Sequence, residues 1–151
     1  MYKYLLFVHV LLAIVWVGGG LALLLLGAFV RRTNDAAKVA EYGSWAEWIG
    51  TRIYLPSSLL LFVAGAWMVI DGAWSWTDAW IMIGIAGWLF SALIGSLYLG
   101  PQAKKLKVDR EAGTLTDADL LVRTDRIVNV QRVELVVFLI VVFAMTVKPG
   151  A

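Results

Sequence analysis

The chain contains no cysteine. Disulfides, iron–sulfur clusters and thiolate metal sites are therefore excluded, and the redox compartment is left open. Histidine is almost as scarce, with His9 alone among 151 residues. A haem held by two histidines of one chain is impossible, so any haem or metal site is mixed, shared between protomers or absent. Charged residues make up only 16% of the chain. No phosphate-cradling glycine loop, nucleophile–base pair or carboxylate pair appears, and no feature points to nucleic acid. The alternating polar and apolar strands of a membrane barrel are missing as well.

What remains is apolar. Hydrophobic residues form 61% of the chain and the mean hydropathy is +0.80, whereas a soluble domain is about 45–50% apolar. Four apolar segments cover residues 4–30, 53–70, 79–99 and 127–147. Each reaches the ~17–25 residues a helix needs to cross the hydrocarbon, where only internally bonded backbone is tolerated. The expected fold is all-α: a polytopic membrane protein, with a four-transmembrane-helix bundle in one domain over residues 1–151. The first segment exceeds the ~7–15 residues of a signal-peptide core, so it is expected to stay as the first helix.

The charges orient the bundle. Arg31, Arg32, Lys38 and Arg52 lie between the first two segments, and Lys104, Lys105, Lys107, Arg110, Arg123 and Arg126 between the last two. The short turn between the middle segments carries Asp71 and Asp78 and no base. The positive-inside rule puts the two long loops in the cytoplasm and both termini outside, as in a multi-pass protein of the cell inner (plasma) membrane. Trp67, Trp74, Trp76 and Trp80 form an aromatic belt at the outer turn, and Trp45 and Trp48 serve the inner face. Over residues 35–49, Val39, Tyr42, Ala46 and Ile49 share a helical face, which predicts an interfacial helix on the cytoplasmic surface. Thr116 with Asp117 and Asp119 reads as the N-cap of a long last helix. Pro101 is expected to end the third helix, and Pro56 to sit in the first turn of the second.

Four sets of residues carry candidate chemistry. His9 is a titratable group inside a membrane span, a functional-site hypothesis by default; its bland alternative is a satisfied hydrogen-bonding histidine. It shares a stripe with Trp16 and Gly20, and the glycines Gly18, Gly19 and Gly20 admit either a packed helix or a flat cofactor. Met145, Met68 and Met82 fall with His9 in the outer third, and imidazole plus thioether is a ligand set for haem iron or Cu(I). Gly87, Ser91 and Gly95 form a small-xxx-small stripe, suited to close helix packing within the bundle or across a homodimer. Glu134 lies about 10 Å inside the membrane at ~1.5 Å per residue. Arg52, Ser57, Ser58, Ser96 and Tyr98 are at similar depth. Glu134 is then either a proton relay or cation contact, or one half of a structural salt bridge with Arg52 or Arg132.

The first helix as HVLLAIVWVGG and the C-terminal FAMTVKPG resemble an uncharacterised bacterial integral-membrane family, a domain of unknown function. Through His9 followed by Trp16, Glu134 in the last helix and the closing Lys148–Pro149, the chain also resembles the HemJ-type protoporphyrinogen oxidases and the CopD-type copper-resistance proteins. The HemJ likeness implies haem b with His9 as an axial ligand, and the CopD likeness implies copper. The HemJ segment rich in Tyr-Leu-Pro-Arg is replaced here by GGGLALLLLGAFVRR. Three readings follow: a haem b protein of membrane redox chemistry, a small transporter or copper-handling protein, and an accessory subunit that packs into a larger membrane complex through its glycine faces.

Overall fold

With no water to satisfy its amides, a chain in hydrocarbon must bond its backbone to itself, and this one does so as helix from end to end. The computed structural model describes residues 1–150. Its helices are α1 (Tyr2–Arg32), α2 (Ala36–Ile49), α3 (Leu55–Asp71), α4 (Ala79–Ile94), α5 (Gly100–Glu111) and α6 (Asp117–Val147). π-helical turns at Gly50–Tyr54 and Gly95–Leu99 join α2 to α3 and α4 to α5 without a break. Among the described residues, four continuous helices are long and apolar enough to cross a membrane: Tyr2–Arg32, Ala36–Asp71, Ala79–Glu111 and Asp117–Val147. The protein is an integral membrane protein of four such helices.

Two expectations change here. The helix over residues 35–49 exists, but it is the first half of the second long helix rather than a separate helix lying on the surface. Nor does Pro101 end the third helix, which runs on to Glu111. The cause is the same in both. Leu55 N–H reaches back to Gly50 O, and Gly100 N–H to Gly95 O, five residues rather than four. After each widened turn, one residue intervenes before a proline, Pro56 or Pro101, in the same Gly-x5-Pro spacing. A proline inside a regular helix lacks a donor and clashes with the carbonyl four residues back; a π turn shifts that register and lets the helix continue.

At ~1.5 Å per residue, the second and third long helices measure about 54 and 50 Å, more than the ~30 Å of hydrocarbon. Their surplus, α2 and α5, projects beyond the membrane at one end, where they pack on each other and on α1 and α6. This loop end is capped and tied. Asp35 accepts from Ala37 N–H at 2.9 Å and Lys38 N–H at 3.3 Å; the Lys38 bond foremost holds its carboxyl below the ordinary aspartate range. Thr116 accepts from Asp119 N–H at 3.2 Å, the cap read from the sequence. Arg31–Asp125 and Arg123–Asp109 pair at 2.8 Å.

The opposite, turn end is closed by Trp74 and Trp80, packed edge to face at 5.3 Å. Lys148 sits over both rings, 4.5 and 4.9 Å from their centroids. His9 meets α3 near the same end, so both termini lie with the short turn. The bundle core comprises two clusters, Trp16–Leu61–Phe138 and Val69–Trp80–Ile81–Ala144. Phe7, Ile14, Leu25, Leu139 and Phe143 point outward, as helices immersed in lipid require.

Candidate functional site

The small residues of α4 decide how the site forms. A Cβ on Gly87 would collide with Val141, and one on Gly84 with Met145. The stripe therefore lets α4 lie directly on α6 within one protomer. One turn beyond Gly87, that contact delivers Ser91 to Glu134. Both are buried, at 4% and 7% exposure, and the Ser91 hydroxyl donates to Glu134 Oε1.

Around this pair the wall is partly polar. Tyr54, from the first π turn, lays its ring along α1; a Cβ on Gly20 would stand 3.3 Å from its hydroxyl. Its oxygen is buried and has no hydrogen-bond partner, as is Gln131 Oε1, one turn before Glu134 on α6. Ser58 is buried on α3, and Trp88 Nε1 donates at 3.0 Å to both its hydroxyl and its carbonyl. All of these line a cavity of about 830 Å³ that extends between α2 and α5 to the loop end, past Glu47, Lys107 and Arg110. Both π turns contribute to its wall through Gly50, Tyr54, Gly95 and Leu99. One helical turn from Glu134 and Gly20 toward the turn end, Trp16 and Phe138 pack with their rings 4.3 Å apart, with Leu61 in the same cluster.

The salt bridge expected at Glu134 does not form. Arg132 is exposed and bonds Asn129 Oδ1 at 3.0 Å; residues two apart on a helix face different ways. Arg52 is exposed on the outer side of its π turn. Among the described residues Glu134 has no cationic partner.

His9 is half-buried, and its Nδ1 lies 3.2 Å from Leu61 O. Gly65 makes room for the ring, since a Cβ there would come within 2.9 Å of His9 Cε1. His9 thus clamps α1 to α3, whereas Met145 packs into the α4 seam at Gly84 and Met68 is half-buried on α3. His9 and Met145 thus pack against different helices, α3 and α4. Trp16 packs against Phe138, and Gly20 lies beneath Phe138 and Tyr54. Among the described residues no group of three or more His, Cys, Asp or Glu side chains converges as for a metal ion. Of the stripe read as packing within the bundle or across a homodimer, Gly87 is filled by Val141 of the same chain, whereas a Cβ on Gly95 would meet nothing within 4 Å.

Of the residues singled out from the sequence, Glu134, Ser58 and Gly20 line the cavity, while His9, Trp16, Met68, Met145, Arg52 and Arg132 do not. The small-residue spacing predicts packing for Ser91, and no motif marks Tyr54. The available signal for Ser91 was that it is the one hydroxyl in an otherwise glycine stripe, at the depth of an unpaired carboxyl.

No curated protein and no solved structure matches this chain. A family model described as "Predicted integral membrane protein (DUF2269)" matches residues 3–149, so the chain belongs to that family of integral membrane proteins.

Proposed function

We propose that this protein is a small membrane carrier whose cavity takes an apolar-bodied molecule with a cationic or hydrogen-bond-donating head. The observation that carries the reading is the Glu134–Ser91 pair lining the cavity, with no cation beside it and two buried oxygens without a hydrogen-bond partner alongside: Gln131 Oε1, an acceptor, and Tyr54 Oη, which can donate or accept. Buried polar atoms are nearly always bonded, so these atoms mark where a ligand head or its water would sit. Cavities of about 300–1,000 Å³ suit small molecules. The arrangement, reachable from the loop end and with Trp16 and Phe138 packed toward the other, is what one access state of a carrier requires. By the charge pattern of the loops, its mouth faces the cytoplasm.

The test uses tetraphenylphosphonium, an apolar cation, in equilibrium dialysis against the purified protein. Wild type is expected to bind, and Glu134→Gln to bind at least about tenfold more weakly, a loss of about 1.4 kcal/mol. Equal affinity in the two proteins, or none in wild type, sinks the proposal.

The likeness to HemJ-type and CopD-type proteins would place haem b or copper at His9 instead. Its support is that Nδ1 engaged by a backbone carbonyl is the posture a metal-bound imidazole keeps for its other nitrogen. The rings packed over Trp16 and Gly20 weigh against it. Protein from haem-replete cells is expected to be colourless; a Soret band abolished by His9→Ala would overturn that. In the clamp role, His9→Ala is expected to cost about 1 kcal/mol of bundle stability.

A further inference from the structure

A second concavity lies on the other side of α5. It measures about 250 Å³ and is lined by Tyr98, Gln102, Lys105, Arg123 and Arg126. Tyr98, Gln102 and Lys105 follow one another at helical spacing down the second π turn and α5, and they face Arg123 and Arg126, one turn apart on α6. Donors dominate this lining: three cations, an amide and a phenol. The one carboxylate bonded to it is Asp109, which engages Arg123 at 2.8 Å. Among the described residues Lys105 and Arg126 pair with no carboxylate.

Depth gives the site its meaning. Arg126 directly precedes the apolar stretch of α6 that starts at Ile127, and Tyr98 is the last residue but one of the apolar stretch, residues 79–99, of the third helix. The pocket therefore sits at the level where a bilayer changes from hydrocarbon to headgroup. Clustered bases between helices at this level recognise anionic lipid headgroups, each base adding separately to the attraction. Arginine gives a phosphoryl group two parallel bonds, lysine a point charge.

We infer that Lys105, Arg123 and Arg126, with Gln102 and Tyr98, form a binding site for a phosphoryl oxyanion at the membrane boundary. The site is separate from the cavity of Glu134 and does not depend on what that cavity binds. Its source is either the phosphodiester of an anionic phospholipid or free phosphate, and one experiment tells them apart. Purified protein in mixed micelles is offered phosphatidylglycerol, phosphatidylcholine or inorganic phosphate, and bound ligand is counted by native mass spectrometry. Wild type is expected to prefer phosphatidylglycerol over phosphatidylcholine. The Lys105→Gln/Arg126→Gln double variant is expected to lose that preference by about tenfold or more. Retention of inorganic phosphate without a lipid preference assigns the same site to the free anion.

Arg32→Gln/Arg52→Gln removes the same charge from exposed positions outside the pocket and is expected to leave binding unchanged. Arg126→Gln alone serves if the double variant fails to fold. Equal loss in the control pair reduces the effect to general charge and overturns the site. So does unchanged binding when the pocket bases are removed, or no retention of either phosphoryl ligand by wild type.

Discussion

Gly87→Leu is expected to destabilise the bundle by about 3 kcal/mol, the upper end of what forced overpacking costs. The new side chain would enter the space that Val141 fills, and α4 would have to move off α6. In a bilayer this seam cannot be rescued by the hydrophobic effect, because lipid solvates a parted helix as well as a protein neighbour does; close van der Waals fit is what holds such helices together. The displacement also reaches the site. Ser91 is one turn along the same face, so its bond to Glu134 goes with the seam, leaving a buried carboxyl without its donor. Equilibrium unfolding in mixed anionic and non-ionic micelles measures the loss. Gly18→Leu is the matched control, since a Cβ there meets nothing within 4 Å, and its effect is expected to stay within about 0.5 kcal/mol. A Gly87→Leu protein as stable as that control would show that α4 and α6 do not depend on the glycine seam.

The same seam shows how far the sequence could be read. The four spans were plain from run length alone, because the bilayer imposes one dimension on every crossing helix. Glu134 announced itself because a carboxyl inside a long apolar run is costly wherever it lies. Its partner was hidden, since pairing depends on rotation and depth across two helices: Ser91 sits among glycines, and its small size argued for packing. Packing is indeed what the glycines do, and the hydroxyl uses the closeness they create. Pro101 misled for a related reason. A proline stops a regular helix, but a π turn placed before it removes the conflict, and nothing local distinguishes the two outcomes. Only the recurrence of Gly-x5-Pro in the second and third helices hinted at a shared device. For His9, one of the two readings was a satisfied hydrogen-bonding histidine, and its bond to Leu61 O has that form. Which carbonyl it would meet lay in the register of α1 against α3, set by Gly65.

Phe138→Ala is expected to open the cavity toward the turn end. Phe138 is the most deeply buried large side chain, at 1% exposure, and with Trp16 and Leu61 it separates the polar floor from the lower core. Truncation of such a ring in a soluble core costs about 3–5 kcal/mol. Here about 2 kcal/mol is expected, because the transfer component shrinks when the alternative surroundings are lipid. The functional consequence is larger. Because the chain has no cysteine, Ser58→Cys installs a single thiol on the cavity wall without further engineering. In proteoliposomes of known sidedness, a small membrane-impermeant methanethiosulfonate reagent is expected to label this thiol from the loop side and not from the turn side. With Phe138→Ala added, labelling from both sides is expected, and tetraphenylphosphonium should then leak across the bilayer in either direction. Two results count against the closed-floor reading: turn-side labelling while Phe138 is intact, or a double variant that stays closed. The first would mean that Trp16 and Phe138 are not the seal. The second would put the barrier deeper, in the Val69–Trp80–Ile81–Ala144 cluster beneath Lys148, and would move the moving part of the carrier to the belt of aromatic residues at the turn end.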